Sequence, residues 1–78
     1  MKSAVTREAL RAFILRAVVE KPDSVDWQHF MVAHYLDPVM ETARRECVRV
    51  IAYQANGDPD RLTPEQIQLL KAAASDLN

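Results

Sequence analysis

Four prolines and one glycine are the strongest backbone breakers among the 78 residues of this chain, and they divide it into four stretches. Proline lacks an N–H and clashes with the preceding turn, so it suits the first position of a helix and not its interior. Pro22 therefore ends a helix expected over about 6–20, because the residue before a proline is pushed out of the α region. Thr6 caps its start, and Val5 and Leu10 have the spacing of a hydrophobic staple. Pro22, Asp23 and Ser24 make a turn, and either Asp23 or Ser24 can cap a second helix, over about 24–36. Asp37 and Pro38 open a third, over about 38–55, with Asp37 as cap and Pro38 at the first helical position. Asn56 and Gly57 close it, the glycine standing where a left-handed residue is wanted. A loop follows, up to Arg61. Thr63, Pro64 and Gln66 then give the clearest signal in the chain: a cap, a first-position proline and a capping box, with Leu62 placed to staple onto Ile67. The fourth helix is expected over about 63–77. No window alternates strictly enough for a strand. The expected fold is thus all-α, a single small compact four-helix domain spanning residues 1–78.

Charge and composition exclude several classes of function. Residues 1–39 carry five positive and five negative side chains, and the remainder five and six, so the formal charge of −1 is evenly spread. That argues against a basic nucleic-acid arm, an acidic tail or a polybasic membrane patch. The first ten residues turn charged too soon for a signal peptide, and no apolar run approaches the ~18 residues of a membrane span. A lone cysteine, Cys47, can form no internal disulfide, which points to a reducing, cytoplasmic setting. Apolar residues nevertheless make up 49 % of the chain, more than so small a domain easily hides.

Where those apolar residues fall is the informative part. At about 100° per residue, helix 3 sets Val39, Met40, Ala43, Cys47, Val50, Ile51 and Gln54 on one side. Glu41, Arg45, Glu46, Arg49 and Tyr53 fall on the other. Helix 4 is also one-sided, with Ile67, Leu70, Ala73, Ala74 and Leu77 in a stripe. Helices 1 and 2 are not. Helix 1 has a main stripe of Leu10, Phe13, Ile14, Ala17 and Val18, and a second of Ala12, Leu15 and Val19, with Arg11 and Arg16 between them. Helix 2 has Trp27, Phe30, Met31, His34 and Tyr35, and behind them Val32, Ala33 and Leu36. A helix that is apolar nearly all round needs cover on two sides. Either helix 1 lies across the others, with Leu15 and Val19 covered by the N-terminal segment or the loop of residues 57–62, or an outer face meets another chain.

The chemical candidates are weak one by one. His29 and His34 are five residues apart and point to different sides of a helix, whereas a metal pair needs three or four. His34 belongs with the aromatic stripe and is expected to be partly buried and hydrogen-bonded. Cys47 sits mid-helix in a buried stripe, where a cysteine behaves as a small hydrophobe and not as a nucleophile. Asp23 with Asp26, and Asp58 with Asp60, lack the alternating ligand pattern of a calcium loop. One glycine cannot make a phosphate-binding loop. No nucleophile, base and orienting group share a motif, so no catalytic, metal, cofactor or small-molecule site is expected. The strongest polar cluster is Arg44, Arg45 and Arg49 on helix 3, expected to be a solvated face. Read with helix 2 as a helix-turn-helix, it could face DNA. However, the leading residues of that helix, Val39, Met40 and Glu41, are apolar or acidic where base contacts are made, and Glu41 with Arg45 and Glu46 with Arg49 can pair internally.

The expected function is therefore a non-enzymatic protein-protein interaction module. It would be a small helical homo-oligomer, such as a homodimer, or an adaptor or regulator docking on a larger protein. Its contact residues would be Ala12, Leu15, Val19, Val32 and Leu36, with Arg11 and Arg16 as a polar rim. The alternative is a DNA-binding regulator using Arg44, Arg45 and Arg49.

Overall fold

A computed structural model of the chain describes residues 5–32 and 34–77. Among them the fold is all-α, with four helices and no strand. Helix α1 spans Arg7–Ala17. Helix α2 opens as the α-helical turn Ser24–Trp27 and continues as the π-helical segment Gln28–Val32. Helix α3 is α-helical over Pro38–Cys47 and π-helical over Val48–Gln54. A 3₁₀ turn, Pro59–Arg61, leads to helix α4, Pro64–Ser75.

The starts of these helices follow from local hydrogen bonding. The side chains of Thr6, Asp23, Asp37 and Thr63 each accept from a backbone N–H of the first turn they precede, so Asp23 and not Ser24 caps α2. At α4 the capping box is complete. Gln66 N–H donates to Thr63 Oγ1 at 3.1 Å, and Thr63 N–H donates to Gln66 Oε1 at 2.9 Å. Gln66 Nε2 also donates to Gln54 Oε1 at 2.7 Å, tying the start of α4 to the end of α3. Losing a threonine cap typically costs about 1 kcal/mol. Thr63→Ala is expected to lower the thermal midpoint by about 4–8 °C, and an unchanged melt would show that the box adds nothing.

The ends differ from the sequence reading. α1 stops at Ala17 rather than near Glu20, although Glu20 N–H still bonds the Arg16 carbonyl, so the chain keeps winding as a turn. α2 ends at Val32 rather than Leu36, and α4 at Ser75 rather than Leu77. Both α2 and α3 widen into i→i+5 turns, which hold more residues each than an α turn. The step per residue then falls below 100°, and the later side chains rotate off the expected stripe. Gln54, expected on the buried side of α3, is exposed. His34, expected among the aromatic residues of helix 2, lies past the end of α2 and has a side chain 77 % exposed. Asn56 and Gly57 both take positive φ, 53° and 75°, and close α3 as expected.

Leu10, Ile14, Met31, Cys47, Val50, Ile51 and Leu70 form the fully buried centre. α4 packs on both α1 and α3, and α2 lies against α3. Phe13 bridges α1 to α2, stacked on Phe30 at 4.7 Å and tilted against Trp27 at 6.4 Å. The molecule measures 36 × 24 × 17 Å. Packed helices sit 8–10 Å apart, so the thin dimension holds only two layers. Each helix can bury one face, and among the described residues no element lies outside α1 to cover a second. Ala12 and Leu15 are accordingly exposed, as is Val19 beyond the helix end. The loop of residues 57–62 does not cover them, and the first four residues lie outside the described region.

Candidate functional site

Two features stand out: a polar knot at one end of the bundle and a set of apolar side chains left on the outside of α1 and α2. The knot forms where the chain turns from α2 into α3. Glu41, in the first turns of α3, accepts from Arg44 Nε at 2.9 Å and Nη2 at 2.7 Å, and from Tyr35 N–H at 3.0 Å. His34 Nδ1 lies 3.0 Å from Glu41 Oε2 and 3.2 Å from Arg44 Nη2. Arg44 Nη1 donates to the Met31 carbonyl at 3.0 Å, and the Tyr35 hydroxyl donates to the Phe30 carbonyl at 2.7 Å. A helix leaves its last carbonyls without intrahelical partners. Here α2 has no glycine to close it, and two side chains from outside the helix satisfy carbonyls near its end.

This arrangement corrects the reading of the arginine cluster. Arg44 is not part of a solvated basic face; it is 9 % exposed and works inside the fold. Glu41 was expected on the solvent side, yet its side chain is only 16 % exposed. The signal for both was the missing C-terminal cap on helix 2, which required some other residue to supply donors. Arg45 and Arg49 remain outside, 3.5 Å from Glu41 and ion-paired to Glu46 respectively. At the same end, Arg7 makes a two-pronged bond to Asp37, at 2.6 and 3.0 Å, joining the starts of α1 and α3.

Chemically the knot is saturated. The Arg44 guanidinium, the Tyr35 N–H and His34 hold the Glu41 carboxyl far below the usual carboxylate range, so it is a poor base at neutral pH. The Arg7 guanidinium likewise holds Asp37 down. Burial pushes the Cys47 thiol up to about 12, so the thiolate a nucleophile needs is not formed near neutrality. Among the described residues no three His, Cys, Asp or Glu side chains gather to hold a metal ion. No described helix is long and apolar enough to cross a membrane.

The apolar residues are the less finished part. Leu15 is 40 % exposed, Val19 78 %, Val32 61 % and Leu36 fully so. Val25, which the sequence reading passed over, is also exposed, as is Leu69 on α4. Arg16 flanks the α1 stripe and makes a 3.6 Å pair with Glu20; Arg11 is half-buried. The expected contact residues do not form one patch. The Arg7–Asp37 bond puts Leu36 beside the first turn of α1, whereas Val19 lies past its last turn, roughly 16 Å along the axis. Between α1 and α2 runs a groove of about 480 Å³ with Phe13 and Phe30 in its lining and Ala12 and Arg16 along its edge. A second groove, about 630 Å³, lies between α3 and α4 over Thr42, Ala43, Leu69 and Ala72. No protein-family model matches this chain, and no curated protein or solved structure is significantly similar to it.

Proposed function

We propose that this protein is a non-enzymatic protein-binding module, a small homo-oligomer or adaptor that docks through the apolar outer faces of α1 and α2. One observation carries the reading. Of the seven large apolar side chains exposed among the described residues, five lie between Leu15 and Leu36. Single exposed apolar residues are ordinary, but five within one stretch of chain, on α1, on α2 and just past the end of each, favour a contact surface. Burying a valine or leucine contributes about 1.5–3 kcal/mol before ordering costs. A single free cysteine, Cys47, suits a reducing compartment, and the cytoplasm is the proposed location.

Duplex DNA is the competing partner. It is the weaker reading because Arg44 is engaged inside the fold, and Arg45 and Arg49 each face a glutamate of their own helix. The test is a photo-crosslinking amino acid placed at Leu15, Val19, Val32 or Leu36, with Lys71 on the polar side of α4 as control. In cells that make the protein, the first four positions should give defined adducts with another chain or a second copy, and position 71 should not. Equal or absent crosslinking at all five sinks the proposal. DNA affinity that falls steeply with salt and is lost in Arg45→Glu would replace it.

A further inference from the structure

We infer that the groove between α3 and α4 receives an amphipathic helix of a partner protein, with a lysine or arginine at each end of its apolar face. The groove lies on a different pair of helices from the α1–α2 surface and does not depend on it. Glu65, Leu69, Ala72 and Asp76 are four, three and four residues apart, so they share one face of α4 and its C-cap. All four are exposed. The face is thus apolar in the middle and acidic at both ends. Leu69 and Ala72 line the α3–α4 groove with Val39, Thr42 and Ala43. They also line an adjoining groove of about 500 Å³ that reaches Pro64 and Glu65, so the apolar strip runs along most of α4. A trough between two packed helices is the shape that a third helix fills with side chains at three- and four-residue spacing.

Charge identifies the occupant. Among the described residues, the charged side chains lining the two grooves are Glu46, Glu65 and Asp76, with no lysine or arginine beside them. Glu46 is ion-paired to Arg49, which leaves the carboxylates at the two ends. Neither of these is ion-paired among the described residues. Glu65 stands in the first turn of α4, where the helix dipole favours an anion. Asp76 stands at the opposite end, where the last carbonyls already carry partial negative charge and no basic residue occupies the last turn. Its carboxylate therefore works against the helix that carries it. A cation brought by a partner answers both the carboxylate and the carbonyls. An acidic partner is repelled there, and an uncharged apolar one leaves the charge unanswered.

The test is an NMR titration of the full chain with two synthetic helical peptides. Both carry leucines at three- and four-residue spacing on one face. One has lysines at the two ends of that face, and its twin has glutamates there. The lysine peptide should shift the amides of Thr42, Glu46, Leu69, Ala72 and Asp76. It should bind about tenfold tighter than its twin at low salt, the gap closing as salt rises. Leu69→Ala should weaken it about tenfold. Asp76→Lys should abolish the preference for lysine while raising the thermal midpoint of the free chain by roughly 2–4 °C, because the misplaced anion is gone. Glu8→Lys, an equal change of net charge on α1, should leave the preference intact. Equal binding of the two peptides, a preference that survives Asp76→Lys, or no shift from either peptide overturns the inference. Shifts confined to Leu15, Val19 and Val32 would sink the α3–α4 site and leave the α1–α2 surface standing. Shifts of the α3–α4 amides with concentration of the protein alone would give the groove to a second copy and overturn the inference as well.

Discussion

Replacing Arg44 with methionine is expected to cost about 3 kcal/mol of folding stability, a figure typical of breaking a shielded ion pair from one side. The substitution keeps the length of the stem but removes three donors at once. Glu41 loses both of the hydrogen bonds it accepts from Arg44, and the Met31 carbonyl at the end of α2 loses the one it accepts from the same guanidinium. A chain of this length holds about 4–12 kcal/mol in total, so the variant should show a visibly unfolded fraction or a much lower urea midpoint. Arg45 supplies the internal control. It faces the same carboxylate at 3.5 Å, but its side chain is 74 % exposed. Arg45→Met should stay within about 0.5 kcal/mol of wild type. Equal losses at the two positions would mean that burial and the Met31 contact do not matter.

The same pair leaves a signature in acid. Glu41 has its carboxyl lowered in the folded state from an ordinary value near 4.5. Its contribution is therefore fully present above about pH 5 and is lost as the pH falls through the folded value. Without Arg44 the folded and unfolded values draw together. The stability of Arg44→Met should thus depend less on pH between about 5 and 2 than that of wild type, which urea titrations at several pH values would measure.

The second large effect is expected at Leu70. It is fully buried on α4, where that helix meets α1 and α3. Leu70→Ala should cost about 3–4 kcal/mol, the lost transfer energy plus the cavity left behind. The neighbouring buried position on the same stripe, Ala74, is too small to fill that space. Leu69 differs by one position and is 48 % exposed, so Leu69→Ala should cost under about 1 kcal/mol. Chemical denaturation of the two variants side by side checks the face assignment of α4, and a reversed order would overturn it.

Local signals proved readable because their physics is local. A cap bond such as that from Asp26 N–H to Asp23 spans three residues, so Thr6, Asp37 and Thr63 could be assigned from the string alone. The main stripe of helix 1, Leu10 through Val18, is buried as its periodicity required. Cys47 lies at the bottom of the α3 stripe for the same reason. The one-residue ambiguity at Asp23 and Ser24 was settled only by which carboxylate or hydroxyl reached the turn.

What the string alone determined is the number of helices, where they start to within a residue, and the buried stripe of α1 and of the first turns of α3, since these depend on neighbours within about one turn. The tertiary structure decided the rest. The π-helical turns of α2 and α3, the exposure of Gln54 and the placing of His34 past the end of α2 correspond to no local motif. The burial of Arg44 depends on a carbonyl thirteen residues away. The exposure of Leu15 and Val19 follows from a body only two helical layers thick, a property of the whole assembly that no window of sequence contains.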